Sequence, residues 1–357
     1  MKSTLVQYLT INDESFLFKD ILSLSYKTTN PYSKKVLNFC HAWLNEEPLY
    51  DLHTSGSTGT PKKIQVTRTQ LIASALMTQE ALSLKEGASA LVCLHCEFIA
   101  GIMMLVRGLV CNLQLNVVTP CRNPFLGANY SYDFLALTPL QIAAILQNDT
   151  STQLLNLSDS ILIGGAPISP SLKAHIQSSL DTPKIYQTYG MTETVSHIAL
   201  KNISKNENEY HVLSGVKVEI DHRSCLRINS PTSHHRWVQT NDIVSLLSPT
   251  SFEWKGRADF VINSGGVKLH PEIIEEKIAI HFDQLQLNNR FFVAGIHDEQ
   301  LGERLVLLIE GSYRKDLLTE LKNKLPRYEC PKELFFLDKF IDTPTGKIKR
   351  EENLKRI

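Results

Sequence analysis

Between Ile64 and Tyr189 short apolar runs alternate with longer stretches of helical spacing, and this alternation most restricts the fold. Residues 64–66, 90–96, 115–118, 134–137, 160–163 and 184–189 are predicted strands. Among them, residues 69–84 place Leu71, Ala75, Leu76, Ala81 and Leu82 at helical spacing, and 102–110 is a predicted apolar helix. Residues 139–146 read as a helix capped by Thr138, and 169–177 as a helix with Pro170 at its first position. Strands that alternate with helices build an α/β core around a parallel sheet.

The pattern changes after about Lys201. Residues 216–220, 225–228, 237–240 and 244–247 are predicted short strands between turn residues, which suggests a small antiparallel sheet. A polar break, Gly256-Arg257-Ala258-Asp259, then separates a large domain, 1–256, from a smaller α+β domain, 257–357. In the smaller one Pro271 starts a helix to about Phe282, residues 291–296 and 304–309 are strands, and 315–325 is a helix. The chain is expected to close on a loop and basic end from Phe340 to Ile357.

Composition removes several function classes. The 357 residues carry a formal net charge of zero, so no global basic field recruits nucleic acid or an anionic membrane. Asp13 and Glu14 stand where a signal peptide would be apolar, and Arg107 with Asn112, Gln114 and Asn116 breaks the most apolar stretch. No membrane insertion is expected, and seven scattered cysteines suit a reducing, cytoplasmic setting. Cys93-Leu94-His95-Cys96 has metal-like spacing but no further ligands at close spacing, so it reads as a buried strand and its exit.

The chemistry begins with Thr54-Ser55-Gly56-Ser57-Thr58-Gly59-Thr60-Pro61-Lys62. Small, turn-forming residues offer backbone N–H groups and hydroxyls to one anion, and the lysine adds a mobile charge. The run lacks Walker A spacing; the bland alternative is a flexible linker. Gln187-Thr188-Tyr189-Gly190-Met191-Thr192-Glu193-Thr194 lies at the end of a predicted parallel strand, where ligands of such sheets collect. An aromatic there could stack on a base and a carboxylate could hold Mg2+, although a helix N-cap with an acidic first turn fits as well. Gly164-Gly165-Ala166-Pro167 could let a flat ring approach. Thr240-Asn241-Asp242 reads as a turn whose Asp could accept from ribose hydroxyls. Two more stretches are Asn263-Ser264-Gly265-Gly266-Val267-Lys268 and the glycine-flexible Asp342-Thr343-Pro344-Thr345-Gly346-Lys347.

In this order, these motifs resemble the signatures of the adenylate-forming superfamily of acyl-CoA synthetases, peptide-synthetase adenylation domains and luciferases. The resemblance runs from roughly Asp51 to the C-terminus, with a shortened N-terminal subdomain. It implies an AMP-forming acid–thiol ligase that uses ATP, Mg2+ and coenzyme A. By similarity Thr54, Ser55, Gly56, Ser57, Thr58, Gly59 and Lys62 hold the β- and γ-phosphates, Glu193 the magnesium ion and Thr192 phosphate. Tyr189 and Gly190 meet the adenine on one side, with Gly164, Gly165 and Ala166 on the other. Asp242 and Arg257 hold the ribose. Lys347 bridges the reacting carboxylate and α-phosphate, and the small domain then swings about Asp259 to bring Gly265 and Gly266 to the thioester site.

A finer resemblance is to short o-succinylbenzoate–CoA ligases of menaquinone biosynthesis, carried by Phe98-Ile-Ala-Gly-Ile-Met-Met-Leu-Val-Arg107, Met191-Thr-Glu-Thr-Val-Ser-His197 and Asn263-Ser-Gly-Gly-Val-Lys-Leu-His-Pro271. A two-carboxylate acid needs a polar partner for the group left unreacted, and Arg107, Ser196 and His197 are the candidates; Arg107 could instead belong to a structural ion pair. His95-Cys96-Glu97 departs from the family's usual run before the acyl site, and Asn241 replaces a common glycine. Other readings are another aryl- or acyl-CoA ligase, a carrier-protein-loading enzyme, or a catalytically dead nucleotide-binding protein. The partner is a small aryl acid; a homo-oligomer is left open.

Overall fold

The computed structural model describes residues 6–53, 63–343 and 348–357. Strands Ser89–Val92, Gln114–Val117, Phe134–Leu137, Ser160–Ile163 and Lys184–Gly190 are parallel, as the alternation predicts. Their residues divide by parity. Ala90, Val92, Phe134 and Leu162 pack into one apolar cluster; Leu91, Leu135, Leu137, Ile161 and Ile163 pack into another. Successive side chains of a strand point to opposite faces, so a run such as Ser-Ile-Leu-Ile must be covered on both. Leu71 and Met104, from helices Arg68–Leu82 and Ile99–Val110, cover the first face. Ile142, Leu155 and Ile176, from helices Pro139–Ile145, Asp149–Asn156 and Pro170–Ser179, cover the second.

Local chemistry sets the helix starts. Thr138 accepts from the Gln141 N–H while the Gln141 side chain reaches back to the Thr138 N–H, with Pro139 in the first turn. Thr67 and Gln70 repeat the arrangement ahead of Arg68–Leu82. The strand expected over 90–96 stops at Val92, because the chain turns away through Cys93–Glu97 to enter the next helix.

The antiparallel strands do not form a separate layer. His197–Asn202 pairs with Lys184–Gly190, and Tyr210–Val212, Ser251–Arg257, Trp237–Ser248, Cys225–Asn229 and Lys217–Ile220 follow outward in one continuous 13-stranded sheet. The two strands expected over 237–240 and 244–247 are a single strand, Trp237–Ser248, and the expected turn at Thr240-Asn241-Asp242 lies inside it. Register shifts beside Ile243 and Val244 bend this strand, so turn-like composition here marks a bulge.

The N-terminal segment contributes elements that periodicity did not predict. Helix Pro31–Leu44 is capped by Asn30, whose side chain accepts from the Tyr32 and Ser33 N–H groups. Near its end Trp43 tilts against Tyr50 with ring centroids 5.6 Å apart. Arg68 lies 4.0 Å from the Trp43 ring centroid and donates to the Trp43 carbonyl at 2.7 Å. This knot sits at the base of the hairpin Leu49–His53/Lys63–Thr67, which brackets residues 54–62. Trp43→Ala is expected to cost about 3–5 kcal/mol of stability in urea unfolding; a loss below about 1 kcal/mol would contradict the anchoring role.

A second sheet begins at Ile262, five residues past Arg257, where the first ends. Hairpin Ile262–Ser264/Val267–Leu269, the antiparallel pair Phe291–Asp298/Gly302–Glu310 and the parallel strand Glu333–Leu337 make it up. Its apolar clusters are its own. The expected helix over 315–325 shortens to Leu317–Lys322. The basic end is not all loop: Arg350–Leu354 is helical, Arg350 pairs with Glu275 at 2.7 Å, and it lies 4.9 Å from the Phe260 ring centroid. Among the described residues no helix is long and apolar enough to cross a membrane.

Candidate active site

The carboxyl ends of the parallel strands open into a cleft of about 1140 Å³. Twelve residues singled out by sequence line it together: Arg107, Gly164, Gly165, Ala166, Tyr189, Gly190, Thr192, Glu193, Ser196, His197, Asp242 and Arg257. Asp259 stands just behind, paired with Arg257 and accepting from Asn241 Nδ2 at 2.9 Å. Gly265 and Gly266 form the turn of the hairpin beginning at Ile262 and are not in the cleft lining. The phosphate-loop residues Thr54, Ser55, Gly56, Ser57, Thr58, Gly59 and Lys62, and the lysine Lys347, lie outside the described residues.

One end of the cleft is aromatic and acidic. Tyr189 donates to Asp242 Oδ2 at 2.8 Å, and Trp254 Nε1 donates to the other carboxylate oxygen at 3.1 Å. The Tyr189 ring is braced edge-on by Phe252 at 5.2 Å. Burial and the facing Asp242 carboxylate push the phenol well above its ordinary pKa. Asp242 is opposite Arg257 across strands Trp237–Ser248 and Ser251–Arg257, so sheet register places an acid and a base side by side. Gly165 has φ +88 with open space where a side chain would begin.

Glu193 is at the exposed rim and has no hydrogen-bond or ion-pair partner among the described residues. No group of three or more His, Cys, Asp or Glu among those residues could hold a metal by itself. A single free carboxylate beside a nucleotide-sized cleft fits a magnesium ion that arrives with substrate phosphates, since that ion usually keeps waters and takes one or two protein carboxylates.

Between Glu193 and Ser196 the chain folds into a tight, strained turn. After the 3-10 turn Thr192–Thr194, Val195 has φ +65 and ψ −52, and the Ser196 N–H donates to the Thr194 carbonyl at 2.7 Å. This is a γ-turn on a buried β-branched residue, a conformation that costs on the order of 1–3 kcal/mol. Gly190 makes it possible, because a Cβ there would stand 2.3 Å from the Ser196 carbonyl oxygen. The turn directs Ser196 and His197 at Arg107, and nothing in the local sequence signals it.

Arg107 is 2% exposed on the buried helix Ile99–Val110. It donates to Ser196 Oγ at 2.9 Å and to Thr78 Oγ1 at 3.2 Å, and Nη2 lies 3.4 Å from His197 Nδ1. Among the described residues no carboxylate pairs with it, and the remaining stretches contain no Asp or Glu. The structural ion pair that the sequence left open is therefore not what holds it. Burial without a counter-ion lowers its pKa to about 10, still well above neutrality. The Thr78 contact was missed by sequence reasoning.

His197 is buried, and burial together with the neighbouring guanidinium holds its pKa well below 6.5. The unfolded chain takes up this proton below about pH 6.5 while the folded protein does not. Stability is therefore full above that pH and is lost as pH falls, by up to about 1.4 kcal/mol per unit for this one ring. Urea unfolding at stepped pH should show a shallower acid slope for His197→Asn than for the parent; equal slopes would contradict the assignment.

A family model described as AMP-binding enzyme matches residues 13–221. A 2-succinylbenzoate–CoA ligase of Bacillus cereus is 23% identical over 385 residues, 96% of this chain and 77% of that protein. A crystal structure of an acyl-CoA synthetase (AMP-forming)/AMP-acid ligase II-like protein from Dyadobacter fermentans DSM 18053 is 41% identical, covers 94% of this chain and 97% of its own, and superposes with a TM-score of 0.64. O-succinylbenzoate coenzyme A synthetase from Bacillus subtilis, in complex with ATP and magnesium ion, is 20% identical over 85% of this chain and 69% of its own, with a TM-score of 0.71, and shares the fold.

Proposed function

The chain belongs to the AMP-binding enzyme family, the adenylate-forming superfamily, and from that premise we propose that it joins 2-succinylbenzoate to coenzyme A with cleavage of ATP to AMP and pyrophosphate. The observation that carries the choice of acid is Arg107: a buried guanidinium at the cleft wall whose partners among the described residues are neutral. A buried cation of this kind is costly unless an anion reaches it, and a fatty-acid pocket would not retain it. An acid with a second carboxylate supplies that anion.

In this reading the large domain is 1–256 and the small one 257–357. The adenine stacks on Tyr189 and Gly190, with Gly164, Gly165 and Ala166 on its other side; Asp242 and Arg257 take the ribose hydroxyls. Residues 54–59 with Lys62 wrap the β- and γ-phosphates, Thr192 donates to phosphate, and Glu193 takes the magnesium ion that accompanies ATP. Two anions must meet, so the site's cations and donors carry the electrostatic burden. One carboxylate oxygen of the acid attacks the α-phosphorus beside Lys347, the bond to the bridging oxygen breaks, and pyrophosphate leaves. The coenzyme A thiol, losing its proton, then attacks the acyl carbon and AMP departs. Between the two steps the small domain turns about Asp259 and presents Gly265 and Gly266.

A pyrophosphate-release assay over 2-succinylbenzoate, benzoate and a long-chain fatty acid tests the substrate. Release with 2-succinylbenzoate alone is expected. Release with either of the others but not with it would overturn the choice of acid and leave the adenylation chemistry standing.

A further inference from the structure

Hydrogen-bond accounting around Arg107 singles out Thr78, a residue outside the cleft lining. Thr78 is fully buried in helix Arg68–Leu82. Its hydroxyl donates to the Ser74 carbonyl, one turn back, at 2.9 Å. A hydroxyl has one proton and two lone pairs, so the oxygen is left as a double acceptor. One lone pair takes the Arg107 Nε–H at 3.2 Å, and the other faces His197 Nε2 at 3.2 Å. With the threonine proton spent, Nε2 must carry the hydrogen of this contact. Nδ1 is then a bare lone pair, 3.4 Å from Arg107 Nη2.

Among the described residues every acceptor around the guanidinium is thus neutral: Thr78 Oγ1, Ser196 Oγ, His197 Nδ1 and, at 3.7 Å, the Met104 sulfur. A carboxylate at position 78 would hold the arginine equally well but cancel its charge. A hydroxyl holds its Nε side and leaves the charge for a ligand.

We infer that Thr78 is a positioning residue for recognition of the acid's second carboxylate: its hydroxyl fixes His197 as the neutral Nε2–H tautomer and sets the rotation of the Arg107 guanidinium. The substrate part rests on the function proposed above; the tautomer part does not.

The test uses the full chain with 15N-labelled histidine. The parent protein at neutral pH should show His197 as a single Nε2–H tautomer; an Nδ1–H tautomer or an imidazolium overturns the inference. Thr78→Val keeps the branched shape and removes the hydroxyl. It should disturb that tautomer and raise KM for 2-succinylbenzoate by roughly tenfold or more, because buried donors lose their acceptor. KM for 4-oxo-4-phenylbutanoate, the same skeleton without the ring carboxylate, should stay near the parent value, and Thr78→Ser should restore both readouts. An unchanged tautomer, or an equal loss for both acids, overturns the inference. If the parent protein turns over neither acid, the substrate reading fails and the tautomer measurement decides the role of Thr78 alone.

Discussion

Replacing Arg107 with leucine is expected to lower kcat/KM for 2-succinylbenzoate by roughly two to three powers of ten while leaving the protein as stable as before or more so. The two effects have opposite signs for one reason. In the free protein the guanidinium is buried against neutral partners with no carboxylate, so folding bears its desolvation without an ion pair in return. Apolar replacements of buried charge are often neutral or stabilising by about 1–4 kcal/mol. In the proposed reaction the same charge would meet the second carboxylate of the acid. Losing a buried pair costs on the order of 3–5 kcal/mol, and the lower part of that range, about 3–4 kcal/mol, is the stated fall in rate. Steady-state kinetics and urea unfolding on one preparation check both halves. A variant that loses stability and keeps its rate would show that Arg107 is structural and that the acid binds elsewhere.

Lys347→Ala is expected to slow adenylate formation by two or more powers of ten, about 3 kcal/mol or more of barrier, and to spare thioester formation from preformed acyl-AMP. The structure bears on this through the residues on either side. Asp342 and Ile348 form an isolated bridge, Arg290 clamps Asp342 through two donors, at 2.8 and 2.5 Å, and the Lys349 N–H donates to the Ile341 carbonyl at 2.9 Å. Residues on either side of the stretch that holds Lys347 in sequence are therefore bound to each other and to Arg290, next to strand Phe291–Asp298. Equal loss in both half-reactions would contradict a lysine that serves only the first.

What the sequence made legible follows from how local each signal is. Thr138-Pro139 announces a helix start within two residues, and a buried parallel strand such as Ser160–Ile163 is a mostly apolar run; both were read where they stand. The side of the cleft proposed here for the nucleotide was readable because its glycines and its Tyr-Gly-Met-Thr-Glu run sit at strand ends, where a parallel sheet gathers ligands. Thr240-Asn241-Asp242 misled because polar, turn-forming residues also occur at a bulge, and only cross-strand register reveals the difference. Arg350 was read only as part of a basic end, because its partner Glu275 lies 75 residues away. Thr78 carries no local mark at all: a threonine bonded to the preceding helical turn looks alike wherever it occurs, and its meaning comes from residues 29 and 119 positions away. The sequence named Arg107, Ser196 and His197 one by one, but not the hydroxyl that joins them.

On the proposed function, this cleft activates a dicarboxylic acid by adenylation. Incubating the protein with MgATP and 2-succinylbenzoate, without coenzyme A, and resolving the products by mass spectrometry tests it most directly. The expected result is enzyme-bound 2-succinylbenzoyl-AMP with one pyrophosphate released per adenylate formed, discharged to thioester and AMP when coenzyme A is added. ADP with inorganic phosphate, or no acid-dependent nucleotide cleavage, would contradict it.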